Sequence, residues 1–191
     1  MTTSVTRAAL AASLALAFVL LPGCGTVSIP LVGGGAPNYA ELPEQELHGL
    51  AATIEGEVRA GNREPAIENT AGLVVDTPEV VQAIRTRAAR AALVDQLLST
   101  GFAAEQPNGT ITLLRSGEYK KATSARERDK NALVVMSENQ NRWTIYEGIV
   151  KASNLRAKSL PAVQDAFYKA RVELLQAGQK YEDPSGAVVE K

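Results

Sequence analysis

Cys24 is the only cysteine of the 191-residue chain, and the residues before it favour one use of its thiol. An uncharged run from Ala8 to Leu21 matches the length of a signal-peptide core and falls short of the ~20 residues that a membrane span needs. Leu21 lies three positions before the cysteine and Gly23 directly before it, as cleavage and acylation of a thiol require. We predict that residues 1–23 are a lipoprotein signal peptide and that Cys24 carries the lipid, with fatty acids such as palmitate. The alternative is an ordinary signal peptide followed by a free or buried cysteine.

The single histidine and a few carboxylates are the other candidates for chemistry. His48 has Glu44 four residues before it, but a metal site needs further ligands at matching spacing. We therefore interpret His48 as a partly exposed helical histidine and expect no metal. Paired carboxylates could cleave glycans without His or Cys, which makes an envelope hydrolase that uses Glu105 with Glu138 or Glu147 an alternative hypothesis. We favour a protein without catalytic residues.

The helix predicted from Ala132 onward brings polar and aromatic residues close together. Asn139 and Arg142 lie about one helical turn apart, and we interpret them as groups that satisfy a neighbouring helix end rather than a substrate. Trp143 and Tyr146 are large apolar groups in a chain with few aromatics, so packing is their expected role. A lipid or small-ligand carrier is a third hypothesis, which requires an apolar cavity lined by Phe102, Trp143 and Phe167.

Composition excludes several classes of function. A formal net charge of −1 argues against a general binder of polyanions, so we expect no nucleic-acid partner. A single cysteine excludes an intramolecular disulfide and a thiolate metal cluster, and we expect no cofactor. Residues 38–79 contain nine acidic and two basic side chains, whereas basic side chains are in excess after residue 80. We interpret these charges as solvated helix faces rather than as an electrostatic docking surface.

Periodicity and turn residues predict the elements of the first half. Residues 24–38 include three consecutive glycines and read as a lipidated cysteine with a flexible tether. Residues 39–76 hold an amphipathic helix over 41–60 and a loop in which Leu73 to Val75 could form a short strand.

Thr77 and Pro78 then begin a second helix that Gly101 ends. Its apolar stripe consists of Val81, Ile84, Ala88, Ala91, Val94 and Leu98, and we expect three arginines off this stripe to be solvated, namely Arg85, Arg87 and Arg90.

The second half predicts two hairpins and two helices. Residues 102–114 carry Pro-Asn-Gly turn chemistry between two short strands, and residues 180–190 form a second hairpin. An exposed segment passes into a helix near Ser124, and Ser159 caps another that ends at Gly178. The first of these helices has the stripe Ala132, Met136, Asn139, Trp143, Tyr146 and Val150. The predicted fold class is α+β, a mostly helical small domain with two short β-hairpins in one small sheet packed on helices.

Residues 77–191 resemble the YdbL-like periplasmic family, a domain of unknown function. Gly101, Glu105 and Gly109 are similar to the family pattern Gly-x-x-Gly-Glu-x-x-x-Gly, with Ala104 replacing a glycine. The more specific part is the block from Glu138 to Glu147, followed by Val163 and by Gly178 through Gly186 to Lys191. The chain departs from the family at its tail, where Tyr181 is displaced by one position and Val188 replaces a tryptophan.

The resemblance implies an envelope protein without established catalytic residues, similar to accessory factors found beside AsmA-like envelope bridges. We therefore expect a lipid-anchored, non-enzymatic interaction module that assists an envelope protein, one concerned with lipid transport or assembly. The side chains expected to contribute to the interaction are Glu105, Asn139, Arg142, Trp143 and Tyr146. Gly25 stands where an Asp would retain a lipoprotein at the inner membrane, which favours the periplasmic face of the outer membrane of a Gram-negative cell.

Overall fold

The computed structural model describes residues 37–191, so the predicted signal peptide, Cys24 and most of the tether lie outside the described residues. The helices are α1 (Glu44–Arg59), α2 (Pro78–Ser99), α3 (Gly117–Ala122), α4 (Ala125–Ala152) and α5 (Leu160–Leu174), with a 3-10 turn at Ala157–Ser159. The strands are β1 (Ala103–Glu105), β2 (Ile111–Leu113), β3 (Lys180–Glu182) and β4 (Val188–Glu190). The predicted α+β class is confirmed.

The four strands form one mixed sheet in the order β2-β1-β3-β4. Each hairpin is antiparallel, with Ala104 opposite Thr112 in the first and Tyr181 opposite Val189 in the second. The two hairpins are joined by the parallel pair β1–β3, in which Glu105 lies opposite Tyr181. Both predicted hairpins and their place in one small sheet are therefore confirmed.

The core has two parts. The larger part lies where α1 packs against α2 and α5, and its fully buried side chains include Leu47, Ile54, Ile84, Ile149 and Phe167. The smaller part lies between α2, the sheet and α4, and contains Val94, Leu97, Leu98, Ala103, Ile111 and Leu175. Burial of apolar surface in both parts is the main favourable term in folding.

Helices α2 and α4 run antiparallel, because Val80 lies beside Gly148 while Arg87 lies beside Glu138. Thr77 caps α2 as predicted, and α4 begins at the predicted place near Ser124, which also proves to be a cap. Thr77 accepts a hydrogen bond from the N–H of Val80, and Ser124 forms a reciprocal capping box with Glu127.

Three local predictions are wrong. Leu73 to Val75 form no strand, because the only pairing there is an isolated bridge between Thr70 and Leu73. Ser159 makes no capping hydrogen bond, since the 3-10 turn places it with helical dihedral angles before α5. Helix α5 ends at Leu174, before Gly178, because Leu175 is already extended.

The acidic first segment does dock onto the basic remainder, contrary to the expectation of solvated faces. Glu55 of α1 is buried against arginines of α2 and α5. At the surface, Glu41 pairs with Arg156 and Lys158 at 2.7 Å, and Glu64 pairs with Arg85. No helix within residues 37–191 is long and apolar enough to cross a membrane.

Candidate functional site

The centre of the molecule holds a closed ring of alternating charges, which we call the ionic ring. Its six side chains come from α1, α2, β1, α4 and α5, and each is buried. In order around the ring they are Glu55, Arg87, Glu138, Arg142, Glu105 and Arg171.

Arg87 of α2 contacts Glu55 of α1 and Glu138 of α4. Its Nη1 and Nη2 donate to the two oxygens of Glu55 at 2.9 and 2.8 Å, and its Nε donates to Oε1 of Glu138 at 2.8 Å. The Nε of Arg142 donates to the same Glu138 oxygen at 2.9 Å. Arg90, whose side chain is 16% exposed, donates to the other oxygen at 3.2 Å. Glu138 therefore accepts hydrogen bonds from three arginines, two of which also pair with a second carboxylate.

The other half of the ring joins β1 to α4 and α5. Both terminal nitrogens of Arg142 donate hydrogen bonds to the Glu105 carboxylate, at 2.6 and 2.9 Å. Arg171 donates from Nε to Glu105 at 2.9 Å and from Nη1 to Glu55 at 2.8 Å, which closes the ring. Forked, charge-assisted contacts of this kind are the strongest hydrogen bonds of proteins.

One backbone carbonyl outside the ring binds a ring arginine. The carbonyl oxygen of Gly109 accepts from Nη2 of Arg171 at 3.0 Å and from the hydroxyl of Tyr146 at 2.8 Å. Gly109 has a φ of 82°, and a Cβ added there would lie 2.8 Å from the Tyr146 ring. Glycine is therefore required both for the turn and for the close approach of the tyrosine.

The ring arginines keep all three carboxylates ionised. Burial raises the pKa of the Glu138 carboxyl, but the charges of Arg87 and Arg142 outweigh burial and hold that pKa well below its ordinary value. The pKa values of Glu55 and Glu105 are lowered in the same way, because their guanidinium neighbours overcome the effect of burial. None of the three holds a proton to give at neutral pH.

A narrow crevice leads from the surface to the ionic ring. It has a volume of about 50 Å³, and all six ring side chains contribute to its lining. Its walls are mostly apolar, formed by Val58, Ala91, Val94, Leu98, Leu174 and Leu175. At its outer part the Arg59–Asp95 ion pair spans 2.8 Å, and Gln179 donates to the same Asp95 oxygen at 3.1 Å. A volume of this size holds a few water molecules.

The structure brings together three of the five predicted interaction residues. Glu105 and Arg142 are ring members, and Tyr146 supports the ring through Gly109. Arg142 contacts two carboxylates and no helix end, so its predicted role is wrong. The expectation that Arg87 and Arg90 are solvated is also wrong, since Arg87 is 1% exposed and both pair with Glu138. Arg85 is only partly solvated, because its side chain is 42% exposed and pairs with Glu64.

Sequence reasoning missed Glu55 and Arg171. Each lies on an apolar stripe of its helix, Glu55 between Ala51 and Val58 and Arg171 four residues after Phe167. The sequence does contain a signal for these two residues. Each is a charge at a core position of its helix, and other helices carry opposite charges at core positions.

The other two predicted residues lie elsewhere. Asn139 sits beside β2, where its side-chain amide accepts from the N–H of Ile111 and donates to the carbonyl of Ile111, both at 2.9 Å. Asn139 therefore satisfies the backbone hydrogen-bonding groups of a strand edge, and the prediction that it satisfies a helix end is wrong. Trp143 is half-buried and packs against Tyr146, with ring centroids 6.4 Å apart.

A second concave surface, which we call the edge groove, lies between β2 and α4. It has a volume of about 500 Å³. Its lining includes Ile111, Leu113, Arg115, Ala132, Val135, Met136 and Asn139. Met136 was predicted in the buried stripe of α4 but is 60% exposed, because the buried face of α4 is centred on Glu138, Arg142, Ile145 and Ile149 instead.

The alternative hypotheses gain no support from these contacts. Glu105 and Glu138 are each held by arginines in the ring, and Glu147 is exposed on α4, so the proposed pairs do not flank an open cleft. The three carrier aromatics do not share one cavity, because Phe102 packs against Tyr119 while Trp143 and Phe167 both pack against Tyr146.

His48 lies away from both surfaces, on α1. It stacks on Tyr39 with ring centroids 5.5 Å apart and lies 3.8 Å from Glu44. Within the described part of the chain, no three His, Cys, Asp or Glu side chains are grouped so that they could hold a metal ion.

Comparison of the chain with protein-family models, curated proteins and solved structures finds no match. The resemblance to the YdbL-like family therefore stays a proposal that rests on the residues quoted for it.

Proposed function

We propose that the protein is a lipid-anchored, non-enzymatic interaction module of the cell envelope, an accessory to another envelope protein. The observation that carries the proposal is the edge groove, an open surface beside a strand edge. Met136 of α4 lines it and is 60% exposed, and Leu133, three residues earlier on the same helix, is 58% exposed. Large apolar side chains grouped at a concave surface are typical of protein-binding sites.

The ionic ring supports a scaffold role. Its carboxylates are ionised, buried and fully engaged, so they offer neither a general acid nor a free nucleophile. By joining five elements, the ring holds α4 and β1 in place, and these two elements position the edge groove. The signal sequence and Cys24 would place this rigid module at a membrane surface, on the periplasmic face of the outer membrane.

Photocrosslinking in intact Gram-negative cells tests the proposal. A photoreactive phenylalanine derivative replaces Met136 in the full chain, and the matched control carries it at Leu93, a second exposed apolar residue, on α2. We expect a discrete adduct of one mass from position 136, none from position 93, and loss of the adduct in a Cys24→Ser background. Equal adducts from both positions, or none from either, would contradict the proposal.

A further inference from the structure

At the outer edge of β2, only some of the backbone N–H and C=O groups have hydrogen-bond partners among the described residues. The N–H of Leu114 donates to the Phe102 carbonyl and the N–H of Gln106 donates to the Thr110 carbonyl, each at 2.8 Å. Because backbone groups alternate in direction along an antiparallel strand, those of Ile111 and Leu113 point away from β1. This edge therefore faces the edge groove.

Asn139 occupies part of this edge. A carboxamide carries the same donor and acceptor as a peptide group, and Asn139 uses both on Ile111. It stands where a residue of a neighbouring strand would stand. The N–H and C=O of Leu113 have no such partner among residues 37–191, so one donor and acceptor pair remains open for a further strand.

The floor and the rim of the groove differ in character. Ala132, Val135 and Met136 supply an apolar floor beside the open edge. Arg115 lines the groove at the end where the chain leaves β2. Outside the lining, α3 carries Lys120 and Lys121 together with the acidic Glu118, and all four side chains are exposed. None of these three basic side chains forms an ion pair with a described residue, as is also true of Arg63 and Lys130 elsewhere on the surface, whereas Arg59 and Lys158 are paired.

We propose that the edge groove binds an extended, acidic segment of a partner protein, which adds to β2 as a further strand. This inference rests on the proposed function and names the kind of partner. The segment pairs with the backbone of Leu113, lays alternate apolar side chains on Val135 and Met136, and directs a carboxylate to Arg115. Asn139 ends the pairing at Ile111 and so fixes the register.

Synthetic peptides test the proposal on the full-length lipidated protein in detergent. The probe is an extended eight-residue peptide of alternating Val and Thr with glutamates at one end. Its matched controls replace the glutamates with lysines or methylate alternate backbone nitrogens. We expect the acidic peptide to bind at least about tenfold more tightly than either control, because both charge and main-chain pairing contribute. Hydrogen–deuterium exchange should slow across residues 111–115 when it binds.

Variants of exposed residues locate the contact. Met136→Asp and Arg115→Glu should each weaken the acidic peptide about tenfold, through lost apolar contact and reversed charge respectively. Leu93→Asp and Arg126→Glu are the matched controls at exposed positions outside the groove lining, and should leave the affinity unchanged.

Several outcomes would overturn the inference. Equal affinity for the acidic and lysine peptides, or undiminished binding of the methylated peptide, would exclude strand addition by an acidic segment. Slowed exchange at 111–115 caused by phosphatidylglycerol vesicles, without any effect of peptide, would assign the surface to a membrane. A crosslink from position 136 combined with failed peptide binding would overturn this inference and leave the proposed function standing.

Discussion

Glu138 shows how a carboxylate can be stable inside this protein. Removing a carboxylate from water costs several kcal/mol, and the cost is offset only where the geometry is good and every lone pair is engaged. Glu138 is 2% exposed and accepts from Arg87, Arg90 and Arg142. Replacing the whole ring with apolar residues could be neutral, but removing one partner leaves a buried charge unbalanced.

Glu138→Gln should therefore destabilise the protein strongly. The amide keeps the shape of the side chain but leaves three arginines facing a neutral group. We expect a loss of about 3–5 kcal/mol in the free energy of unfolding, measured by urea denaturation. Glu147→Gln, on the exposed face of the same helix, should change it by less than about 0.5 kcal/mol. Equal stability of the two variants would show that the ring tolerates an unbalanced guanidinium.

At the scale of elements, α2 and α4 pack tightly against each other at a glycine. A Cβ added at Gly148 would clash with Cγ2 of Val80. Valine has few rotamers within a helix, so it cannot easily turn away. The crossing therefore depends on the missing side chain.

Gly148→Ala should destabilise the protein although alanine favours a helix. The gain in helix propensity is about 1 kcal/mol, and overpacking costs about 1–3 kcal/mol. In a Val80→Ala background the clash disappears, so the same substitution should become stabilising, which a double-mutant cycle measures. The control is Gly49→Ala on α1, where a Cβ meets nothing within 4 Å and the variant should gain stability. A destabilising effect that persists without Val80 would contradict this account.

Elements with local signals were predictable, and those set by distant charges were not. Thr77, Ser124 and the Pro-Asn-Gly turn act on their own neighbours, so sequence alone places the helix starts and the first hairpin. The side of α4 that faces the core could not be predicted in this way, because that buried face contains Glu138 and Arg142. Hydrophobic periodicity assigns such residues to solvent, and only partners on α1, α2, β1 and α5 reverse that assignment.

The edge groove could be predicted only in part for the same reason. Asn139 was singled out as a polar residue beside an apolar stripe, but its partner on β2 is 28 residues away in sequence. Met136 was expected in the core. It is exposed because α4 turns the face with Glu138 and Arg142 inward, toward their partners in the ionic ring.

For the whole molecule, the ionic ring makes folding depend on pH. Five elements meet in it, and the acidic first segment contributes Glu55 to arginines from the basic remainder. The pKa values of Glu55, Glu105 and Glu138 are all lowered in the folded protein. The stability that they supply is therefore complete above the unfolded-state pKa of about 4.3 and is lost as the pH falls below it.

Acid should unfold this protein cooperatively. Below about pH 4 the unfolded chain takes up protons that the ring carboxylates do not, because their pKa values are lowered in the folded protein. The free energy of unfolding then falls by at most about 1.4 kcal/mol per pH unit for each such group. Urea midpoints measured between pH 7 and pH 3 should be constant down to about pH 5 and then fall steeply. The arginines keep their charge throughout, so the ring predicts no matching loss between pH 7 and pH 9. A midpoint that stays level down to pH 3 would mean that the ring carboxylates titrate as they do in the unfolded chain, and the arginines would then not hold the five elements together through charge.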